Sequence, residues 1–421
     1  MDKFEAFLKN ERENKWRTRA LTDKSFKPIY QKKHKRQLAH RQVNTELATY
    51  GDAVLKLALC ELLLDRVQQL SEIKSLFERD SALVIIGEHY GILDYLNFDK
   101  SDPNIPNDYD VRQPDDDDHK FIATAVEAVL GAIYKTHSDM REIVSIVRNF
   151  ITIIVKGTIK KWYYRLGFPR EMDKEFEHIL QTHSVGACEA CLSADTLDLD
   201  CEDGALNLLR VLYLCEEARR KHAARGIPAH VTEDTLRDIV YWTCVWSKLK
   251  GRLYLGELHW LVRHLKGELF ALGRLQYHMS RAAQNIPQYG IGEGDRVLAV
   301  HIPRNGRLAP EAVSHSLDQA KEFFGRYFKS FSYKAFTCHS WLLDASLQKY
   351  LKSDSNILQF AARFDKIKQK PTDDIVRFVF GWGVTREHLS SIAPTSRFAE
   401  TIRDAIMAGE VFYTVLGVIP I

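Results

Sequence analysis

The chain has 421 residues, with 59 Lys and Arg against 56 Asp and Glu, and a net charge of +3. An apolar fraction of 45% and a charged fraction of 27% are those of an ordinary soluble globular protein, long enough for two or three cored domains. No run is long and apolar enough for a membrane span, Met1-Asp-Lys-Phe-Glu5 is unlike a signal peptide, and seven scattered cysteines do not make a disulfide framework. The expectation is a cytoplasmic protein with no membrane partner.

Residues 1–19 alternate in charge at helical spacing and read as an exposed helix. From Lys24 to Arg41 the charged residues are all basic, with Phe26, Tyr30, His34 and His40 among them. Lys32, Lys33, Lys35 and Arg36 are therefore candidates for neutralising an RNA backbone, with the aromatic rings stacking on unpaired bases. The plainer reading is a solvated basic face leading into the first domain helix.

The next stretch organises the chain. Leu47, Tyr50, Val54, Leu55, Ala58, Leu59, Leu62 and Leu63 recur at three- and four-residue steps, which predicts a helix with a wide buried face. Asp52 falls among these apolar residues, where a carboxylate needs a partner such as a metal ion. Gly51 weakens the helix, as expected where another chain or a phosphate backbone approaches closely. Val67 to Leu83 continues as helix, and Gly87 and Gly91 mark turns. Residues 99–119 are a loop with three prolines and the run Asp115-Asp-Asp-Asp118, either a source of further metal ligands or a solvated acidic loop. Phe121 to Tyr134 is a second apolar helix, Asp139 to Ile154 a third, and Lys156 to Lys161 a basic exit.

Tyr50-Gly-Asp-Ala-Val-Leu55 and Phe121-Ile-Ala-Thr-Ala-Val-Glu-Ala-Val-Leu-Gly-Ala-Ile-Tyr134, with Glu88 to Leu96 between them, resemble the ordered motifs of the ribonuclease III family. That resemblance implies an all-helical domain, a homodimer burying the apolar part of the Thr45 to Leu55 helix, and metal-dependent cleavage of structured or double-stranded RNA. It places Asp52 and Glu127 as catalytic carboxylates holding Mg2+ or Mn2+. Two further acidic positions of the family carry Ala48 and Thr124 here. A two-carboxylate magnesium site and a fold that has lost catalysis are the two outcomes left open.

Residues 165–248 read as helices with a loop near Gly186 to Gly204. Within it Cys188-x-x-Cys191, with His183 and Cys201 nearby, suggests zinc or ordinary half-buried thiols. Trp242 and Trp246 at helical spacing suggest core. From Gly256 the pattern becomes helix, strand, a second strand over 296–302, the loop Pro303-Arg-Asn-Gly-Arg-Leu308, a helix over 310–328, and strands over 333–341 and 376–382. Strand, loop and helix in that order present a phosphate site at a helix N-terminus.

Leu258-His-Trp-Leu261, Leu272-Gly-Arg-Leu-Gln-Tyr277, Val300-His-Ile-Pro303, Cys338 to Asp344 and Ser355 to Phe360 resemble an acyltransferase-like family whose C-terminal domain is similar to the GNAT N-acetyltransferases. The implied cofactor is coenzyme A or acyl-coenzyme A. On chemistry, Arg304, Asn305, Gly306 and Arg307 would grip its phosphates. His301 would take a proton from an amine, with His339 and Cys338 as rivals and satisfied strand histidines as the alternative. The expected fold class is α+β and multidomain. It comprises a ribonuclease III-like domain with a basic arm (1–160), a helical bridge (161–250) and a GNAT-like α/β acyltransferase domain (251–421). RNA cleavage is the leading function. The alternative is acyl-coenzyme A-dependent N-acyl transfer beside a non-catalytic RNA-binding or dimerisation domain.

Overall fold

The computed structural model describes residues 2–10, 12, 14–67, 69–101, 119–183 and 202–421. The chain forms two compact units, Met1–Glu216 and Glu217–Ile421. The acidic run at 115–118 and Cys188, Cys191 and Cys201 lie outside the described residues.

The first unit is helical. In place of one exposed N-terminal helix there are two short ones, α1 (Lys3–Lys9) and α2 (Lys15–Ala20). They are not solvated, because Phe4, Phe7, Leu8 and Ala20 are buried. The basic segment forms α3 (Lys27–His34), which ends at Lys35 in a left-handed conformation with φ 55°. Next come α4 (Thr45–Leu63), α5 (Leu70–Phe77), α6 (Asp80–His89), α7 (Lys120–His137), α8 (Met140–Leu166) and α9 (Asp173–Thr182). The basic exit is therefore not a linker: Lys156 to Lys161 lies inside one 27-residue helix. Asp139 caps α8 by accepting from the Arg141 N–H, and Gly167 closes it at φ 75°.

Helix α7 is central, packed by α2, α4 and α6. Its small residues make this possible, since Ala123, Ala125, Ala128, Gly131 and Ala132 are all buried and let neighbours approach on several sides.

The second unit contains a six-stranded sheet, β1 (Leu269–Leu272), β2 (Leu275–Arg281), β3 (Arg296–His301), β4 (Ala335–Ser340), β5 (Asp365–Pro371) and β6 (Tyr413–Pro420), in the order β1-β2-β3-β4-β6-β5. All pairings are antiparallel except β3 with β4. The region before it is helical: α10 (Gly204–Ala224), in which the division between the units falls, α11 (Ala229–Leu236), α12 (Asp238–Lys250) and α13 (Leu258–Leu265). Helix α14 (Pro310–Tyr327) follows β3 and buries Val313, Leu317, Ala320, Phe323 and Phe324 in a cluster with Phe270, Leu298 and Phe336 of the sheet. A separate apolar cluster joins α16 (Asp374–Phe380) and α17 (Arg397–Met407), which follow the short α15 (Asn356–Ala361).

The expected strand over 376–382 is thus largely helix α16. Ile375 and Val376 are buried together with Ile402 and Ile406, and Asp374 and Arg377 pair three residues apart on its exposed side. The strands not expected are β5 and β6, and the one strand expected before 296 is the hairpin β1–β2. Strand β6 inserts between β4 and β5, fixed at its start by Asp344, whose carboxylate accepts from the Tyr413 N–H at 2.7 Å.

Candidate functional sites

In the first unit, α4 and α7 meet backbone to backbone. A Cβ on Gly51 would stand 1.8 Å from the Glu127 carbonyl oxygen, and one on Gly131 would stand 2.8 Å from the Leu47 carbonyl oxygen. What approaches Gly51 is therefore the chain's own helix, not a second chain or a phosphate. The same packing buries Leu47, Ala48, Val54 and Leu55 inside the chain. Those four side chains are therefore covered within one copy of the chain.

This contact puts Asp52 and Glu127, one residue from Gly51 and four from Gly131, near each other. Asp52 is partly exposed rather than enclosed by the apolar face, and its carboxylate accepts from Lys56 Nζ at 2.7 Å. Asp80, at the start of α6, is a neighbour that sequence motifs did not single out; Lys120 lies 3.7 Å from it. Burial, then the charges of Asp52 and Asp80, push the Glu127 carboxyl up to about 7, with Lys56 and Lys120 opposing. Thr124 turns its hydroxyl back to the Lys120 carbonyl, and Ala48 is buried.

These donors do not fit a resident Mg2+ or Mn2+. Asp52 is engaged by an ammonium four residues on, and burial raises the proton affinity of Glu127. Among the described residues no three His, Cys, Asp or Glu side chains gather closely enough to hold a metal ion. Two family acids are absent and two lysines face the remaining carboxylates, so the local charge is largely cancelled within the protein.

The basic arm is laid out as expected, with Lys32, Lys33, Lys35 and Arg36 all exposed. Its aromatic ring is already occupied, however. Tyr30 stacks on His34 at 4.3 Å and accepts from Arg36 Nε at 3.0 Å, so it is not open for an unpaired base.

In the second unit the parallel pair defines the site. Strands β3 and β4 register only at Leu298 with Phe336 and Ala299 with Thr337. Beyond that point β3 follows β2 as far as His301, and β4 follows β6 as far as Ser340. An opening between parallel strands at their carboxyl ends is where α/β folds receive ligands. The Arg304 to Arg307 loop leaves β3 there, and all four of its residues are exposed. Its shape is set by Arg274, from the two-residue turn between β1 and β2, where Gly273 has φ +65°. Arg274 Nε donates to the Arg307 carbonyl at 2.8 Å and Nη2 to the Gly306 carbonyl at 2.6 Å. Its Nη1 is buried with no protein acceptor. Sequence reasoning quoted Arg274 within a motif but gave it no role. Helix α14 then starts at Pro310 with no side-chain cap on its first turn.

His301 ends β3 with Nε2 buried and unpartnered, so it is not a satisfied strand histidine. Its ring packs edge-on against Trp260 at 4.7 Å and lies 6.0 Å from His278. Burial, then the neighbouring His278, His264 and Arg263, lower it to about 3, with Asp238 opposing, so it is neutral. Beneath it, the Asp238 carboxylate accepts from Trp260 Nε1 at 2.8 Å and Trp242 Nε1 at 3.3 Å, and lies 3.2 Å from His264 Nε2. Burial alone would raise Asp238; the bonds from His264, Trp260 and Trp242 outweigh it and leave the group below its ordinary range. Trp242 is therefore a half-buried hydrogen-bond donor to this cluster rather than plain core. Of the other two candidates, the Cys338 thiol is buried, which pushes it up to about 12, and His339 is exposed near the end of β4.

A helical fold with this α4–α7 pair, followed by a mixed sheet split between two parallel strands, defines a two-part protein. Comparison with known proteins agrees. Residues 45–138 match the family model of the Ribonuclease III domain, residues 159–267 that of the N-acyltransferase N-terminal domain, and residues 269–419 that of the GNAT-like C-terminal domain. The chain thus joins a ribonuclease III-type domain to two stretches that match GNAT-like family models. Among solved structures, an acyltransferase in complex with decanoyl-CoA is 26% identical with a TM-score of 0.52, covering 62% of this chain and 87% of that one. An acyltransferase in complex with decanoyl-CoA and teicoplanin is 28% identical with a TM-score of 0.46, covering 51% of this chain and 66% of that one. An acyltransferase mutant in complex with octanoyl-CoA, 23% identical with a TM-score of 0.51, is similar in fold. No curated protein matches the chain. No helix of the described residues is long and apolar enough to cross a membrane.

Proposed function

We propose that residues 159–419 transfer an acyl group from acyl-coenzyme A to an amine. The observation that carries this reading is the parallel pair parting after Ala299 and Thr337, with an exposed arginine loop at one lip and a buried neutral imidazole at the end of the same strand. Arg304 and Arg307 bind the phosphates as charge-assisted donors, and Arg274 holds the loop from behind. Acyl-coenzyme A supplies an activated carbonyl carbon. The amine nitrogen bonds to that carbon, the carbon–sulfur bond breaks, and the proton lost by nitrogen ends on the departing thiolate. His301 Nε2 accepts that proton and passes it on. Its low proton affinity makes it a relay within a water-poor site rather than a strong base.

The test is calorimetry and thiol-release kinetics on the full chain, with octanoyl- and decanoyl-coenzyme A and a panel of amines. Arg304→Ala with Arg307→Ala should raise the KM for the thioester by at least about a hundredfold, two charge-assisted contacts being worth roughly 1.5–3 kcal/mol each. His301→Ala should lower kcat with little change in KM. No heat with either thioester would end this reading.

For the first unit we infer RNA binding without cleavage, because Lys56 and Lys120 face the acids that a metal would need. Lys32, Lys33, Lys35 and Arg36 supply the phosphate contacts. Replacing the three lysines by alanine should reduce the salt slope of binding to a hairpin RNA by about two to three. Asp52→Asn should leave binding unchanged. Magnesium-dependent scission that Asp52→Asn abolishes would instead establish the nuclease reading.

A further inference from the structure

Helices α6, α8 and α9, with His119, line an open-sided cavity of about 870 Å³, within the size range of small-molecule sites. Val84, Ile85, Ile153 and Leu180 give it apolar walls. Five charged side chains also line it: Glu88, Lys156, Lys160, Lys161 and Glu177. Lys160 pairs with Glu177 at 2.7 Å, Glu177 also accepts from the Tyr164 hydroxyl at 3.0 Å, and Lys161 lies 3.9 Å from Glu216. Lys156 makes no ion pair or hydrogen bond through its ammonium among the described residues. Neither does the carboxyl of Glu88. Burial pushes Glu88 up to about 7, against the charge of Lys161.

The charge balance selects the ligand's head group. Lys160 is paired with Glu177 and Lys161 lies beside Glu216, which leaves Lys156 as the ammonium without an ion-pair partner among the described residues, next to the Glu88 carboxyl, whose burial favours its protonated form. An anion is favoured over a cation, and the apolar walls ask for an alkyl chain. We propose that this cavity binds a long-chain carboxylate, a fatty acid, with its tail against Val84, Ile85, Ile153 and Leu180 and its head group at Lys156. The site lies wholly in the first unit and, although part of its lining falls within residues 159–419, it includes none of Arg274, His301, Arg304 or Arg307, on which the acyl-transfer reading rests.

Calorimetry of the full chain with hexanoate, octanoate and decanoate, without coenzyme A, tests it. Affinity should rise up to about fourfold for each methylene buried. Lys156→Ala should weaken decanoate about tenfold or more, and Lys156→Arg should retain most of the binding. Ile153→Trp should intrude on the wall that holds the tail and weaken binding. Between pH 6 and 8 affinity should fall as Glu88 ionises and repels the head group, with His89 and His119 the histidines that also line the cavity. Glu88→Gln should remove the Glu88 part of the fall. Three results would each overturn the proposal. They are no heat with decanoate, decanoate binding indifferent to both Lys156→Ala and Ile153→Trp, and a preference for decylamine. A tail site in residues 217–421 would give the second result, so failure here is distinct from failure of the transferase reading.

Discussion

Gly51→Ala is expected to cost the first unit at least about 3 kcal/mol, because the added methyl has nowhere to go. Its Cβ would lie 1.8 Å from the Glu127 carbonyl oxygen and 2.6 Å from the carbonyl carbon. These are backbone atoms in the middle of α7, so no rotamer change relieves the overlap. Helices α4 and α7 must part along the most heavily buried surface of the unit. Helix propensity works the other way, favouring Ala over Gly by about 1 kcal/mol in an exposed helix. The sign of the measured change therefore decides whether the close crossing exists. Thermal unfolding should move down by roughly 6–12 °C, given about 2–4 °C per kcal/mol for a unit of this size. Gly131→Ala, with Leu47 O at 2.8 Å, should act in the same direction and less strongly. A stabilised Gly51→Ala protein would mean that the two helices are not packed as described.

The second large effect is acid lability of the sheet unit. Burial holds three of its histidines neutral. His301 is lowered to about 3, His278 to about 4 and His222 to about 4, with Arg263 and His264 adding to the shift of His278 and Arg225 and Lys221 to that of His222. An unfolded chain protonates each near 6.5. Between that value and the folded values, unfolding takes up protons, so stability falls as pH drops below about 6.5 and levels off only near 3 to 4. His301 alone should cost about 2 kcal/mol between pH 7.5 and pH 5. The measurement is hydrogen exchange of the β3 amides in the intact chain at the two pH values. Protection should fall at pH 5, and His301→Leu should remove about one proton from the slope. An unchanged slope would place the imidazole in water rather than in the sheet's interior.

Helical elements in the first unit were readable because their signal is local. The three- and four-residue recurrence from Leu47 to Leu63 and the Ala-rich run from Phe121 to Tyr134 each carry a buried face in a single window, and α4 and α7 sit where those windows predict. The two motif resemblances were likewise sequence properties, as the family matches bear out. Gly51 was legible as a point of close approach, though what approaches it was not, and Gly87, expected to mark a turn, lies buried inside α6.

Tertiary structure decided the chemistry. Whether Asp52 is a metal ligand or an ion-pair partner depends on Lys56 reaching it and on Asp80 arriving from another helix, and Glu127 owes its raised proton affinity to burial that no motif encodes. Arg274 becomes part of a candidate phosphate site only because the sheet brings the β1–β2 turn beside a loop more than thirty residues later. Strand β6 enters between β4 and β5 through pairings that join residues 335–340 and 365–371 to 413–420. The physical reason is range: helical patterning is fixed by neighbours within one turn, whereas strand order, desolvation and charge pairing are set by residues that only the folded chain makes neighbours.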